Sequence, residues 1–255
     1  VVAATAARGA AGDVSAVTRL APPQDIHLHL LLLWKDTMNH PTITRFSAIF
    51  LASLALVACG GGTDEDLDKR GTPTSVATLP METLSQAEID SLLYMREEEK
   101  LAGDVYTRMD ALWGRSVPVF SNITASEATH TEAVRQLLQR YSLPDPAAGN
   151  AVGVFQNPDL QALHNQLVAD GSVSLIEALK VGVHIEELDM VDINTHLASV
   201  DNLDIRRVYE SLLRGSRNHL RAYYQTLLKQ GGSYTPQTLS QAEFDAIVNS
   251  AMERG

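Results

Sequence analysis

The phrase Ser-x-x-Glu recurs at 85–88, 174–177 and 240–243, and each copy opens a run with apolar residues at helical spacing. Such a capping box satisfies backbone donors that a helix start leaves open, so each copy predicts a helix N-terminus. The run behind Ser85 carries Ile89, Leu92, Ala102, Tyr106, Met109 and Trp113 on one face and stops at Gly114. A second run follows Pro118 over about 121–141, with Ile123, Val134, Leu137 and Tyr141 on its stripe. The third extends from Ser174 to about Val200. Asp201-Asn202 opens the fourth, which reaches about Gln230 and ends at Gly231-Gly232. A short C-terminal helix starts at Ser240. No segment alternates with period two, which argues against strands. The longest connection, 142–173, contains one short helix announced by Asn157-Pro158-Asp159. The expected fold is all-α: four long helices in two hairpins, joined by a long B–C crossover and followed by a short C-terminal helix.

Charge narrows the function classes. The 255 residues carry a formal charge of −11, opposite to what a phosphate-binding surface needs, so no nucleic-acid partner is expected. Aromatic residues make up 5%, which suits a helical core better than a sandwich. The chain has a single cysteine, Cys59, so no intrachain disulfide is available.

The position of that cysteine points to export. Phe46 to Leu56 is an apolar run of 11 residues, short of the roughly 20 that span a bilayer. Arg45 precedes it and Leu56-Val57-Ala58-Cys59-Gly60 closes it, the layout of a secretory signal peptide. The Leu-Val-Ala-Cys ending resembles the lipobox of bacterial lipoproteins, in which the cysteine is lipidated and becomes the new N-terminus. By resemblance to the enterobacterial sorting rule, Gly60 after the cysteine favours the outer membrane, facing the periplasm. Met38 opens a signal peptide of ordinary length, so residues 1–37 read as an upstream extension from a misplaced start. The expected organisation is signal peptide 38–58, flexible tether 59–80 and folded domain 81–255.

Acidic and histidine residues interrupt the inner stripes. Glu127 and His130 lie on the line from Ile123 to Tyr141, one turn apart on the same face. A Glu-x-x-His pair is how dimetal-carboxylate bundles present a bridging carboxylate and a terminal imidazole. The bland alternative is that Glu127 closes a cap with Thr124 and His130 merely packs. Glu97-Glu98-Glu99-Lys100 reads as a solvated face, except that Glu99 is in register with Leu92, Ala102 and Tyr106. Glu186 and Asp189, with Glu187 beside them, lie between Gly182 and Ile193. His219 shares a line with Leu212, Ser216 and Tyr223. Each of the four helices thus delivers an acid or a histidine near mid-length; buried carboxylates need partners, and a pair of divalent ions is the natural neutraliser.

Three phrases, REEEKLAGDVY at 96–106, FSNITASEATHTEAV at 120–134 and RRVYESLLRGSRNHLRAY at 206–223, resemble the ferritin-like family known as domain of unknown function 2202, distantly similar to rubrerythrin. The resemblance covers about 84–247. It implies a ferritin-like bundle, in which the B–C connection travels the bundle's length, and metal ligands Glu99, Glu127, His130, Glu186 and His219. Tyr106, Asp189, Ser216 and Tyr223 fall where groups supporting such ligands would stand. Ser216 occupies the place of a second bridging Glu, so one carboxylate is missing. The implied cofactors are two iron ions, or manganese, with no haem and no nucleotide. A rubrerythrin's Cys₄ iron cannot be built here, so an enzyme of this kind would need an external electron donor. Three functions follow: an oxidoreductase acting on peroxide or dioxygen, a metal-binding or storage module, or a structural bundle whose site has decayed. The expected partners are a lipid anchor and, as an assembly compatible with this plan, a second copy in a homodimer.

Overall fold

The computed structural model describes Val76 and residues 78–254. Cys59, the signal peptide, the upstream extension and nearly all of the tether therefore lie outside the described residues. Six helices follow in chain order: α1 Gln86–Trp113, α2 Val119–Arg140, α3 Pro158–Gly171, α4 Leu175–Leu197, α5 Leu203–Lys229 and α6 Gln241–Val248. Among the described residues there is no strand, and no helix is long and apolar enough to cross a membrane.

The helix starts are largely those written in the sequence. Ser85 and Ser240 form complete capping boxes with Glu88 and Glu243. At Ser174 only half the box forms: Ser174 accepts from the Glu177 N–H, while the Glu177 carboxylate takes Lys180 instead. Asn157 caps α3 through its side chain ahead of Pro158. α5 ends where Gly231 adopts a φ of 79°, a left-handed backbone that favours glycine. The second helix begins two residues earlier than its apolar pattern suggested, because Pro118 fits directly before a first turn.

Contacts at the two ends give the topology. At one end Arg140 and Tyr141, leaving α2, bond to Asp204 at the start of α5. Glu88 at the start of α1 accepts the backbone N–H groups of Asp201 and Asn202 there. At the other end the Trp113 indole donates to Gly171 at 3.0 Å. The connection 141–174 therefore leads from one end of the bundle to the other. Its α3 packs against α1 and α4. Val76 is buried in the core, and Arg140 donates to the Leu79 carbonyl at 2.7 Å, so the last part of the expected tether is fastened to the bundle.

Two apolar clusters fill the core, one around Leu101, Tyr106, Phe120, Leu179 and Tyr223, the other around Leu92, Met95, Leu137, Ile193 and Tyr209. Between them lies a polar layer built by the middles of all four long helices. α4 has no solvent face there: residues 181–190 are all buried, under α1, α5, α3 and the C-terminal tail. Any acid on that segment must find a partner inside the protein. Glu187 finds one in the tail, accepting the Tyr234 hydroxyl and the N–H groups of Gln237 and Leu239.

The solvated face expected at Glu97–Lys100 is not one. Glu97, Glu98 and Glu99 are all buried, Glu97 under the crossover and Glu99 inside the bundle against His130. Glu97 accepts the N–H groups of Gln156 and Asn157, which fastens the crossover over α1.

Candidate metal centre

The polar layer gathers the five ligand candidates. Glu99 comes from α1, Glu127 and His130 from α2, Glu186 from α4 and His219 from α5, and each is at least nine-tenths buried. One ligand atom from each of Glu127, His130 and His219 lies within 4.8 Å of the others. Glu127 stands between the two imidazoles. Its Oε2 is 3.0 Å from His130 Nδ1 and its Oε1 is 2.9 Å from His219 Nδ1. Glu99 Oε2 approaches His130 Nδ1 at 3.4 Å, and Glu186 Oε2 approaches His219 Nδ1 at 3.5 Å. The imidazole rings stack with centroids 5.3 Å apart. The arrangement is nearly symmetric: one central carboxylate, an imidazole on each side, and an outer carboxylate approaching the same Nδ1 of each imidazole.

The four supporting candidates also lie in or beside this layer. The Tyr106 hydroxyl donates to Glu186 Oε1 at 2.6 Å. Tyr223 packs on Tyr106 with ring centroids 5.0 Å apart, and its hydroxyl makes no hydrogen bond. The Ser216 hydroxyl lies within hydrogen-bond reach of Asp189 Oδ2 and of the Leu212 carbonyl, and its one proton serves either acceptor. Asp189 thus comes from α4 to the place where α5 carries serine instead of a carboxylate.

Three contributors were missed in the sequence. Ser126 lies 2.8 Å from His219 Nε2 and so fixes which nitrogen faces Glu127. Gly215 gives the His130 ring its room: a Cβ there would stand 2.5 Å from His130 Nε2. Gly182 does the same for the Tyr223 ring, at 2.6 Å. The signal for both glycines was a helix interior, where glycine costs stability without such a reason.

Several of these atoms are left without a hydrogen bond although buried. They are Glu99 Oε1, His130 Nε2, Asp189 Oδ1 and His219 Nδ1, the last standing close to Glu127 but outside hydrogen-bond angles. Protons hold the layer together in the meantime. Burial lowers the pKa of His219, but Glu186 and Glu127 outweigh it and push it up to about 10. Burial likewise works against His130, and Glu127 with Glu99 carries it well above its usual value. Burial raises Glu127, and the two imidazoles overcome this to hold it well below the carboxylate range. Burial pushes Glu99 up to about 7, with His130 pulling against it. The layer thus favours protonated imidazoles, and burial pushes the outer carboxyls in the same direction. Imidazole nitrogens with carboxylate oxygens make a donor set that suits iron, manganese or zinc, and unsatisfied buried donors of this type fit a bound cation.

Fold and layer together define a helical bundle with a buried carboxylate–imidazole cluster. Residues 88–251 match the family described as uncharacterized protein domain DUF2202, and the chain belongs to that family. It is similar to the uncharacterized protein MJ0754 of Methanocaldococcus jannaschii, with 44% identity over 180 residues, 71% of this chain and 96% of that protein. The crystal structure of the hypothetical protein MJ0754 from Methanococcus jannaschii matches with a TM-score of 0.67, over 69% of this chain and 99% of that one.

Proposed function

We propose that this protein is an exported, ferritin-like metal-binding lipoprotein whose polar layer holds a pair of iron or manganese ions and uses them in oxidoreductase chemistry on peroxide or dioxygen. The observation that carries the reading is Glu127, with one carboxylate oxygen directed at each of two imidazoles inside an otherwise apolar core. A carboxylate so placed is suited to bridge two ions. Glu99, Glu127 and His130 would hold one ion, and Glu127, Glu186 and His219 the other. When bound, such ions supply electron transfer and Lewis acidity.

The chain's own residues do the rest. Tyr106 orients Glu186, and Ser126 orients His219 through the nitrogen that does not face the centre. Loading displaces the imidazolium protons, because only the neutral ring offers a lone pair. The apolar clusters on both sides keep water from the layer. With Cys59 as the chain's single cysteine, electrons would come from a separate donor. Ser216 in place of a carboxylate favours unequal affinities, the weaker ion lying beside Glu186 and His219, and this observation also supports a second reading: a binding or storage module without turnover.

The full chain purified without chelators should contain one to two iron or manganese ions, and peroxide should oxidise its ferrous form in a single rapid phase. Protein that takes up no metal would sink both readings, and metal that peroxide leaves ferrous would leave the storage module. Cys59→Ala should release the protein from the membrane fraction; unchanged fractionation and mass would refute the lipid anchor and its outer-membrane address.

A further inference from the structure

The segment that follows α5 reaches across both α4 and the outer face of α5. Over 234–239 it lies on α4, where Glu187 accepts the Tyr234 hydroxyl and the N–H groups of Gln237 and Leu239. Over 247–253 it lies on α5. Arg217 donates to both Glu253 carboxylate oxygens, at 2.7 and 2.5 Å, and Arg221 donates to one of them at 2.8 Å. The Asn218 side-chain amide donates to the Glu253 carbonyl at 3.1 Å and accepts its N–H at 2.9 Å, so one side chain holds both backbone groups of a single residue. Arg221 also donates to the Ile247 carbonyl and to Ser250 Oγ. Between the two ends Phe244 packs against Tyr224 and Tyr234, with ring centroids 5.0 and 5.8 Å away.

What this segment covers is mostly charge. Phe244 is the one buried side chain of residues 230–254, while Glu187 and Arg221 are both buried beneath the segment. Water can satisfy these two groups when the segment lifts, whereas lifting a core helix exposes apolar surface. The seal is also imperfect: Gln237 Oε1 and Thr238 Oγ1 are buried there with no hydrogen-bond partner. Opening returns both to water, which lowers its cost.

The helices fastened in this way are those that carry half of the polar layer. Glu187 follows Glu186 in the chain, and Arg217 and Arg221 stand on either side of His219. Glu186 and His219 meet on the inner side, at 3.5 Å. We propose that residues 232–254 form a strap that opens independently of the bundle, with the Glu253 clasp as its catch, and admits solutes to the polar layer from the α4–α5 side. That the solute is a metal ion rests on the function proposed above; the opening itself does not.

Metal-stripped full-length protein tests this by hydrogen exchange and by carbodiimide coupling of glycine ethyl ester, which labels carboxyls that solvent reaches. The Leu239 and Glu253 amides should exchange at least about 100-fold faster than amides in the middle of α1 and α2, and faster still in high salt, which screens the clasp. Exchange at the rate of the bundle would overturn the strap. Glu253→Gln keeps the shape of the clasp and removes its charge. It should raise the labelling of Glu187 and Glu186 together by about tenfold, with Glu97 under the crossover unchanged. No rise at either acid would overturn the catch, and a rise at Glu187 alone would overturn the entry route. A rise at Glu97 as well would mean that the bundle opens as a whole, which also overturns the strap. Mn²⁺ bound by the same variant should pass to a chelator faster by the same factor, and an unchanged release rate would overturn the route for ions. Protein that binds no Mn²⁺ yet shows the coupled labelling would refute the metal reading and leave the strap standing.

Discussion

Two sets of buried carboxylates share the same helices and the same burial, and they behave as different chemistry. Glu88, Glu97 and Glu187 each receive backbone N–H groups from a connecting segment. Burial opposes the Glu88 charge, but the Ser85 cap and the N–H groups of Asn202 and Asp201 hold its pKa below the usual value. Glu99 and Glu186 face imidazoles, Asp189 faces Ser216 and the acids of the layer, and burial pushes all three up. The first set pins loops to the bundle. The second has no such backbone donors and is the set that the proposed metal centre draws on. Burial of an acid therefore says little by itself; the direction from which its donors come separates a fastening from a ligand.

The largest expected difference between the sets is in metal affinity. His130→Ala or Glu127→Ala should weaken binding more than about 100-fold, beyond the loss usual for a supporting residue. Glu97→Ala should leave the stoichiometry unchanged in equilibrium dialysis. Equal losses in both would erase the distinction.

Next comes pH. In metal-free protein the His219 pKa is raised from 6.5 to about 10, so its contribution to stability is complete below 6.5 and disappears as pH rises through 10. Glu99, raised from 4.5 to about 7, adds a loss of the same sign over that lower interval. Denaturant melts of metal-free protein should thus show stability falling, on the order of a few kcal/mol, between pH 6.5 and 10. Bound metal should reverse the slope, since ligand protons no longer compete at high pH. A metal-free protein that gains stability over this interval would contradict the imidazolium layer.

The fastenings give a smaller effect on folding. Glu97→Ala or Glu187→Ala leaves half-buried N–H groups without acceptors and should destabilise by about 1 kcal/mol or more, read from chemical denaturation. Smallest of all, Ser216→Ala removes one hydrogen bond to Asp189 and should cost about 1 kcal/mol. A cost several times larger would mean that Ser216 orders the whole layer.

Much of the bundle was legible because helix periodicity and caps are local. Ser85, Asn157 and Ser240 start helices by bonds to residues within a turn, and the apolar stripes put Glu127, His130 and His219 inward without knowledge of any partner. The same logic failed at Glu97. A face is solvated or covered according to what packs on it, and the crossover that covers this one arrives from about 60 residues away.

The sequence by itself determined the helices, their order and which stripe of each carries acids and histidines, since these depend on spacing along one chain. Only the tertiary structure decided which acids meet: that Glu127 stands between two imidazoles, that Asp189 reaches Ser216, and that Glu187 leaves the layer for the tail. The reason is geometric. A helix position fixes the direction of a side chain to within a stripe, but hydrogen-bond distances depend on how four helices and their coverings pack.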